Sequence, residues 1–174
     1  MCYYNENFSK KERMFMEIER DIVLNSKYII SYFNKNEKDV TNLMVEKLLY
    51  FLEAIYMVMT DEDYLFNEDF YAWNFGPVSD RVYQEYKYFG NLPIILEENV
   101  NIPKKNEIYV EHLYEMFSDF SSYDLVNLSH SKGSPWYEID NQYNDSDIPK
   151  GIKISKIDTK KWFSGLVEIT SNEK

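Results

Sequence analysis

The sequence predicts an α+β fold that is predominantly α-helical: a helical domain around one buried central helix, with a small β-hairpin or sheet. Three observations predict it. Apolar residues recur at spacings of three and four through several segments, the mark of amphipathic helices. Residues 41–59 are apolar nearly all round, which a helix tolerates only in the middle of a fold. One short stretch, 70–75, alternates with period two and runs into a Gly-Pro turn signal.

Ser9-Lys10-Lys11-Glu12 has the form of a capping box, and Phe15, Ile18, Ile22, Ile29 and Phe33 follow at helical spacing. A long first helix is expected to run toward Asn34, with a break near Asn25-Ser26. Thr41 is placed to cap the second helix, which should end near Met59. Its main face is Met44, Leu48, Phe51, Leu52, Ile55 and Met59, and Leu49, Tyr50, Tyr56 and Val58 widen it. The polar residues Asn42, Glu46 and Glu53 are spaced by four and seven, so they share one narrow stripe. That stripe is expected to be the helix's window to solvent or to a partner.

Residues 70–75 read as a strand with Tyr71, Trp73 and Phe75 on one side and Ala72 and Asn74 on the other. Gly76-Pro77 should end it, with Pro77 in the first turn of a helix bearing Val78, Val82, Tyr86 and Phe89 and stopping at Gly90. Residues 91–105 carry two prolines and read as loops and extended segments. The next helix, about 107–120, should bury Val110, Leu113, Phe117 and Phe120. Glu107, Glu111, Glu115 and Asp119 repeat every four residues along another of its faces. Like charges at that spacing cost roughly 1 kcal/mol in total.

A short helix around 124–130 closes at Lys132-Gly133. Ser134-Pro135-Trp136 then supplies a cap, a first-turn proline and an aromatic anchor for another. Residues 141–147 are loop-like, 152–154 form a short strand, and a last helix after Asp158 includes Trp162, Phe163 and Leu166.

Composition bounds the function. The chain has 174 residues, the length of one ordinary domain. Acidic residues exceed basic ones, 30 against 19, for a net charge of −11. Phosphate binding relies on clustered Lys and Arg, and the doublets Lys10-Lys11, Lys104-Lys105 and Lys160-Lys161 lie far apart in sequence, so direct nucleic-acid binding is not expected. An acidic surface steers toward basic partners. Sixteen tyrosines against three tryptophans favour rings with one end packed and the other wet, either as core filling or at an interface.

Cys2 is the only cysteine, which fits a reducing cytoplasm and removes zinc-type spacing. Neither a signal-peptide core nor a membrane span is expected. No phosphate loop, H-E-x-x-H pair, C-x-x-C or nucleophile elbow occurs, so no catalytic, cofactor or metal residue is assigned and a binding role is expected. His112 lies three residues before Glu115, a spacing that suits a metal but suits a solvated helix pair better. Ser129 and His130 are adjacent and point different ways on a helix, so they cannot pair as nucleophile and base. His130 is expected at a helix end, hydrogen-bonded to a backbone carbonyl.

Three stretches together resemble the Panacea antitoxin domain, the SocA-like or phage-associated GepA-type family. The first runs from Thr41-Asn42-Leu43 through Lys47-Leu48-Leu49-Tyr50-Phe51. The second is Ala72-Trp73-Asn74-Phe75-Gly76-Pro77-Val78 with Tyr83, and the third is Leu128-Ser129-His130 with Gly133-Ser134-Pro135-Trp136. Order and spacing agree over most of the chain, and the middle stretch is the most specific. Glu46 stands where the family often has Gln, Ser129 where Thr is common, and Lys132 where an acidic residue is frequent.

The resemblance implies a domain over residues 21–168, an N-terminal extension at 1–20 that either clamps a partner or packs as a helix, and a tail at 169–174. It implies an antitoxin that neutralises a cognate protein toxin by direct contact. The toxins of the family are unrelated to one another and include small alarmone-synthetase-like enzymes that modify tRNA or nucleotides. One member is an adaptor delivering its toxin to an ATP-dependent protease, so an adaptor role, or a phage-encoded inhibitor of a host defence enzyme, is the alternative. A homo-oligomer stays open. Lys47, Leu48, Tyr50, Trp73, Gly76, Pro77, Val78, Tyr83, His130, Ser134, Pro135 and Trp136 are expected to define the domain. Glu46, Glu53, Glu107, Glu111, Glu115 and Asp119 are the expected partner-binding set.

Overall fold

The computed structural model describes residues 9, 14, 17–96, 100–143, 147–149 and 151–172. Most of the capping box at Ser9-Glu12, with Phe15, lies outside these residues. Residues 17–19 are helical and α1 (Ile22–Lys35) follows after an interruption at Arg20 and Asp21. The break therefore falls before the expected Asn25-Ser26. Asp21 is an N-cap, its carboxylate accepting from Leu24 N at 2.9 Å, a contact worth about 1 kcal/mol. Asn25 and Ser26 sit inside α1, fully buried. Asn25 Nδ2 donates to the carbonyls of Glu19 and Asp21, and Ser26 Oγ shares a hydrogen bond with Tyr86 Oη at 2.9 Å. These tertiary partners let polar residues stay helical.

Helix α2 (Asn42–Thr60) begins at Thr41, whose hydroxyl accepts from Met44 N. It packs against α1, against α4 (Lys104–Phe117), α5 (Ser122–Ser129) and α7 (Lys156–Asn172), and against the hairpin. Every residue from Met44 to Met57 is buried, so the all-round apolar pattern reads as a central helix, as expected. Burying one such Leu, Ile or Phe side chain contributes roughly 1.5–3 kcal/mol, and this helix concentrates the effect.

The hairpin pairs β1 (Tyr71–Trp73) with β2 (Gly76–Val78) antiparallel, Tyr71 opposite Val78 and Trp73 opposite Gly76. Residues 152–154 add a third, bridge-like segment: Tyr71 bridges Lys153, Ala72 N donates to Ile152 O at 2.9 Å, and Ile154 N to Phe70 O at 2.8 Å. Gly76-Pro77 thus continues into a second strand rather than opening a helix. Pro77 is tolerated because its missing N–H removes no ladder bond from this short edge. Helix α3 (Asp80–Tyr86) starts later, and a 3₁₀ turn at Lys87–Phe89 carries it to Gly90. The strand's inward side is Ala72, fully buried, while Phe75 stands out from the turn, 61% exposed.

Helix α4 begins and ends about three residues earlier than expected, leaving Phe120 partly exposed and Asp119 beyond the helix end. Ser121 and Asp124 form a reciprocal capping box for α5. Ser134 caps α6 (Pro135–Asp140) by accepting from Tyr137 N, with Pro135 in its first turn. Among the described residues no helix is long and apolar enough to cross a membrane.

Candidate functional site

The three sequence stretches that carry the family resemblance meet around one glycine. A Cβ built on Gly76 would lie 2.7 Å from Ser129 Oγ, 2.9 Å from Lys47 Cε and 3.3 Å from His130 Nε2, and its φ of +95° disfavours any side chain. The central helix, the hairpin and the end of α5 therefore touch at a position where a side chain would be crowded. Lys47 is fully buried and its Nζ donates to Pro77 O at 2.6 Å. The neighbouring Glu46 accepts from Ser79 N at 2.8 Å, capping α3 where Ser79 makes no side-chain cap of its own. Burial pushes the Glu46 carboxyl up and the Lys47 amine down from their ordinary values, each opposed by the charge of the other.

The third stretch closes the cluster from outside. Trp136 Nε1 donates to Trp73 O at 2.8 Å, pinning α6 to β1, and Trp73 meets Tyr83 edge to face at 4.9 Å. The His130 ring stacks on Trp136 with 3.3 Å between centroids and 5° between planes. Its Nε2, one of the two ring nitrogens expected to reach a carbonyl, is buried without a partner among the described residues, and the ring is held by stacking. Burial, with the Lys47 charge, pushes His130 down to about 4, so the ring is neutral at neutral pH. Ser134 Oγ donates to Ser129 O at 2.7 Å, which ties α6 to the end of α5. Leu48 and Val78 are core residues, and Tyr50 Oη shares a hydrogen bond with Thr159 at 3.1 Å. These residues are held in the interior by packing and by hydrogen bonds to other segments.

Glu53 does the same for the opposite end of α2. Its Oε2 accepts from Leu65 N and Phe66 N, and Lys156 Nζ lies 2.8 Å from its Oε1. Burial raises the Glu53 carboxyl while Lys156 opposes that. The expected solvent window of Asn42, Glu46 and Glu53 is thereby corrected: Glu46 is 2% and Glu53 1% exposed. Neighbouring elements cover the two carboxylates, which are turned to backbone N–H groups that would otherwise be buried unpaired, while Asn42 is half-buried.

The rest of the expected partner-binding set lies on α4. Glu111 and Glu115 are exposed and Glu107 is half-buried. Asp119, past the helix end, pairs with Lys38 at 2.9 Å. Tyr28 and Tyr32 of α1 flank this row, and Tyr32 meets Tyr114 edge to face at 5.5 Å. Burial first, then Glu107 and Glu111, raise the Tyr28 phenol; burial, Glu111, Tyr114 and Glu115 do so for Tyr32. The sequence reading missed Ile108 and Met116, which stand on α4 at 47% and 42% exposure. Both lie outside the apolar face formed by Val110, Leu113 and Phe117, and only the structure shows how far they are exposed.

His112 Nδ1 lies 3.3 Å from Glu115 on the open helix surface, and no group of three His, Cys, Asp or Glu among the described residues could hold a metal ion. A shallow cleft of about 550 Å³ between α6 and α7, with Glu138, Lys153, Lys161 and Trp162 in its wall, is of mixed charge.

Comparison with known proteins returns the same region. The profile of the antitoxin SocA-like, Panacea domain family matches residues 45–137, the span from the central helix through the hairpin to the start of α6. Antitoxin SocA of Caulobacter vibrioides (strain NA1000 / CB15N) is 32% identical over 115 residues, 59% of this chain and 61% of that protein. The chain thus spans about three fifths of the length of that curated relative. No solved structure matches.

Proposed function

The chain belongs to the antitoxin SocA-like, Panacea domain family, and from that premise we propose that it is an antitoxin that neutralises a protein toxin by binding it directly. The reading rests on the match over the central helix, hairpin and α6, because those residues build a scaffold rather than a reacting centre. Lys47, Glu46 and His130, all moved from their ordinary values by burial, are turned to backbone and to ring stacking. A chain whose polar chemistry is spent on holding its own shape acts through its surface. That surface is acidic, and the partner is correspondingly a basic protein, such as an enzyme acting on nucleic acid or nucleotides whose substrate groove the antitoxin covers.

Co-expression with the product of the adjoining gene tests the reading. That product alone should arrest growth, and this chain should restore growth and copurify with it. A product that is harmless alone, or one that stays harmful and unbound beside this chain, overturns the proposal.

A further inference from the structure

Helix α4 is packed on one side only. Val110, Leu113 and Phe117 face the core, whereas Ile108 and Met116 stand in solvent, eight residues apart on the open face. Between and beside them run Glu107, Glu111 and Glu115. Among the described residues no ion pair reaches Glu107 or Glu111, and Glu115 has only the His112 ring three residues before it. The cations closest in sequence, Lys104 and Lys105, sit in the helix's first turn, and Lys105 faces Glu62 at 3.9 Å. Lys27 of α1 faces Glu85 instead. The row is thus uncompensated within the described chain, and two exposed apolar side chains are set among its charges.

We propose that this open face of α4 docks a cation-lined, phosphate-binding groove of the toxin, its carboxylate row taking the place of the groove's phosphate-bearing substrate. The inference rests on the antitoxin reading and adds the surface and the kind of site it fills. Carboxylates four residues apart rise about 6 Å per step along a helix, on the order of the separation between successive phosphates of an extended nucleic-acid strand. A groove lined with Lys and Arg for such a strand meets the carboxylates with matching charge. Ile108 and Met116 supply the apolar contact that a row of charges lacks, and Tyr28 and Tyr32 extend the face toward α1 with rings suited to an interface. Charge repulsion along α4, unrelieved in the free chain, is relieved in the complex, so the cost carried by the free helix is returned on binding.

The full-length chain is titrated with the purified product of the adjoining gene. The variant Glu107→Gln/Glu111→Gln/Glu115→Gln is compared with Asp39→Asn/Asp63→Asn/Glu138→Gln, which changes net charge equally on other faces. Binding should weaken tenfold or more for the first and less than twofold for the second, Ile108→Ser should weaken it several-fold, and heparin should displace the unaltered chain from its partner. Equal effects of the two triple variants, or a complex that heparin leaves intact, overturn the surface while the antitoxin reading stands. Failure of the unaltered chain to bind at all overturns both. Circular dichroism melting of each variant separates lost binding from lost folding.

Discussion

Lys47 Nζ donates to the carbonyl oxygen of Pro77 across 2.6 Å, with the lysine fully buried in the central helix and the proline in the second strand. The bond joins segments thirty residues apart. It places an ammonium group where burial disfavours its charge, so its worth lies in positioning the hairpin as much as in net stability. Lys47→Met keeps the stem, removes the charge and leaves the Pro77 carbonyl unpaired; a loss of about 1–2 kcal/mol is expected, below the full cost of an orphaned acceptor. Lys47→Ala adds a cavity and should lose about 3 kcal/mol or more. Urea unfolding measures both, and a loss under about 1 kcal/mol for Lys47→Ala would refute the latch.

Gly76→Ala meets two obstacles at once, a positive φ and a Cβ wedged against Ser129 and Lys47. Gly133, with φ +84° and open space around it, isolates the backbone part. Gly133→Ala should cost about 1 kcal/mol and Gly76→Ala at least about twice that, because overpacking is added to strain. Similar melting temperatures for the two variants would show that the crowding is relieved by small shifts.

His130 carries a pH dependence of definite sign. Its folded value, about 4, lies below the ordinary 6.5, so the unfolded chain takes up the proton first. This contribution to stability is complete above about 6.5 and falls as pH drops toward 4. Glu46 and Glu53, raised by burial, act in the opposite direction, so the measured quantity is the difference between the unaltered chain and His130→Gln. That difference should change between pH 7 and pH 4.5, with the unaltered chain losing more stability on acidification. Parallel curves would mean that the ring titrates normally.

Buried Glu53 and half-buried Lys156 form an ion pair at the other end of α2. Glu53→Gln should destabilise by about 3 kcal/mol, since it leaves the ammonium without its counter-charge and weakens the acceptor for Leu65 N and Phe66 N. Adding Lys156→Met should restore part of the loss. Strict additivity in a double-mutant cycle would show that the two groups act independently.

The carboxylate row of α4 predicts a trade between stability and binding. Glu111→Gln/Glu115→Gln relieves like-charge repulsion and should raise stability by a few tenths of a kcal/mol, more at low salt than at high salt. An unchanged or lower melting temperature at low salt would indicate that the row is compensated in the free chain.

Much of the helical scaffold was legible in the residues themselves. Thr41, Ser134-Pro135 and the 3.6-residue apolar period mark helix starts and faces through local chemistry, and local chemistry is what a sequence displays. The family stretches were legible for a similar reason: residues 47–51, 72–78 and 133–136 are local motifs read from neighbouring residues. What joins them was not. Glu46 and Glu53 share a polar stripe by periodicity, yet both are buried, because the amides of Ser79, Leu65 and Phe66 arrive from segments that periodicity cannot see. Asp21 rather than Asn25 breaks the first helix, since Asn25 finds backbone carbonyls to bond. Ile108 and Met116, to which the spacing assigned no role, stand exposed on α4.

By itself, then, the sequence determined the helical class, the central helix and the family, because spacing, capping and motif are properties of neighbouring residues. Tertiary structure alone decided which charges are internal struts and which face outward, because burial is a property of what other segments bring to a residue.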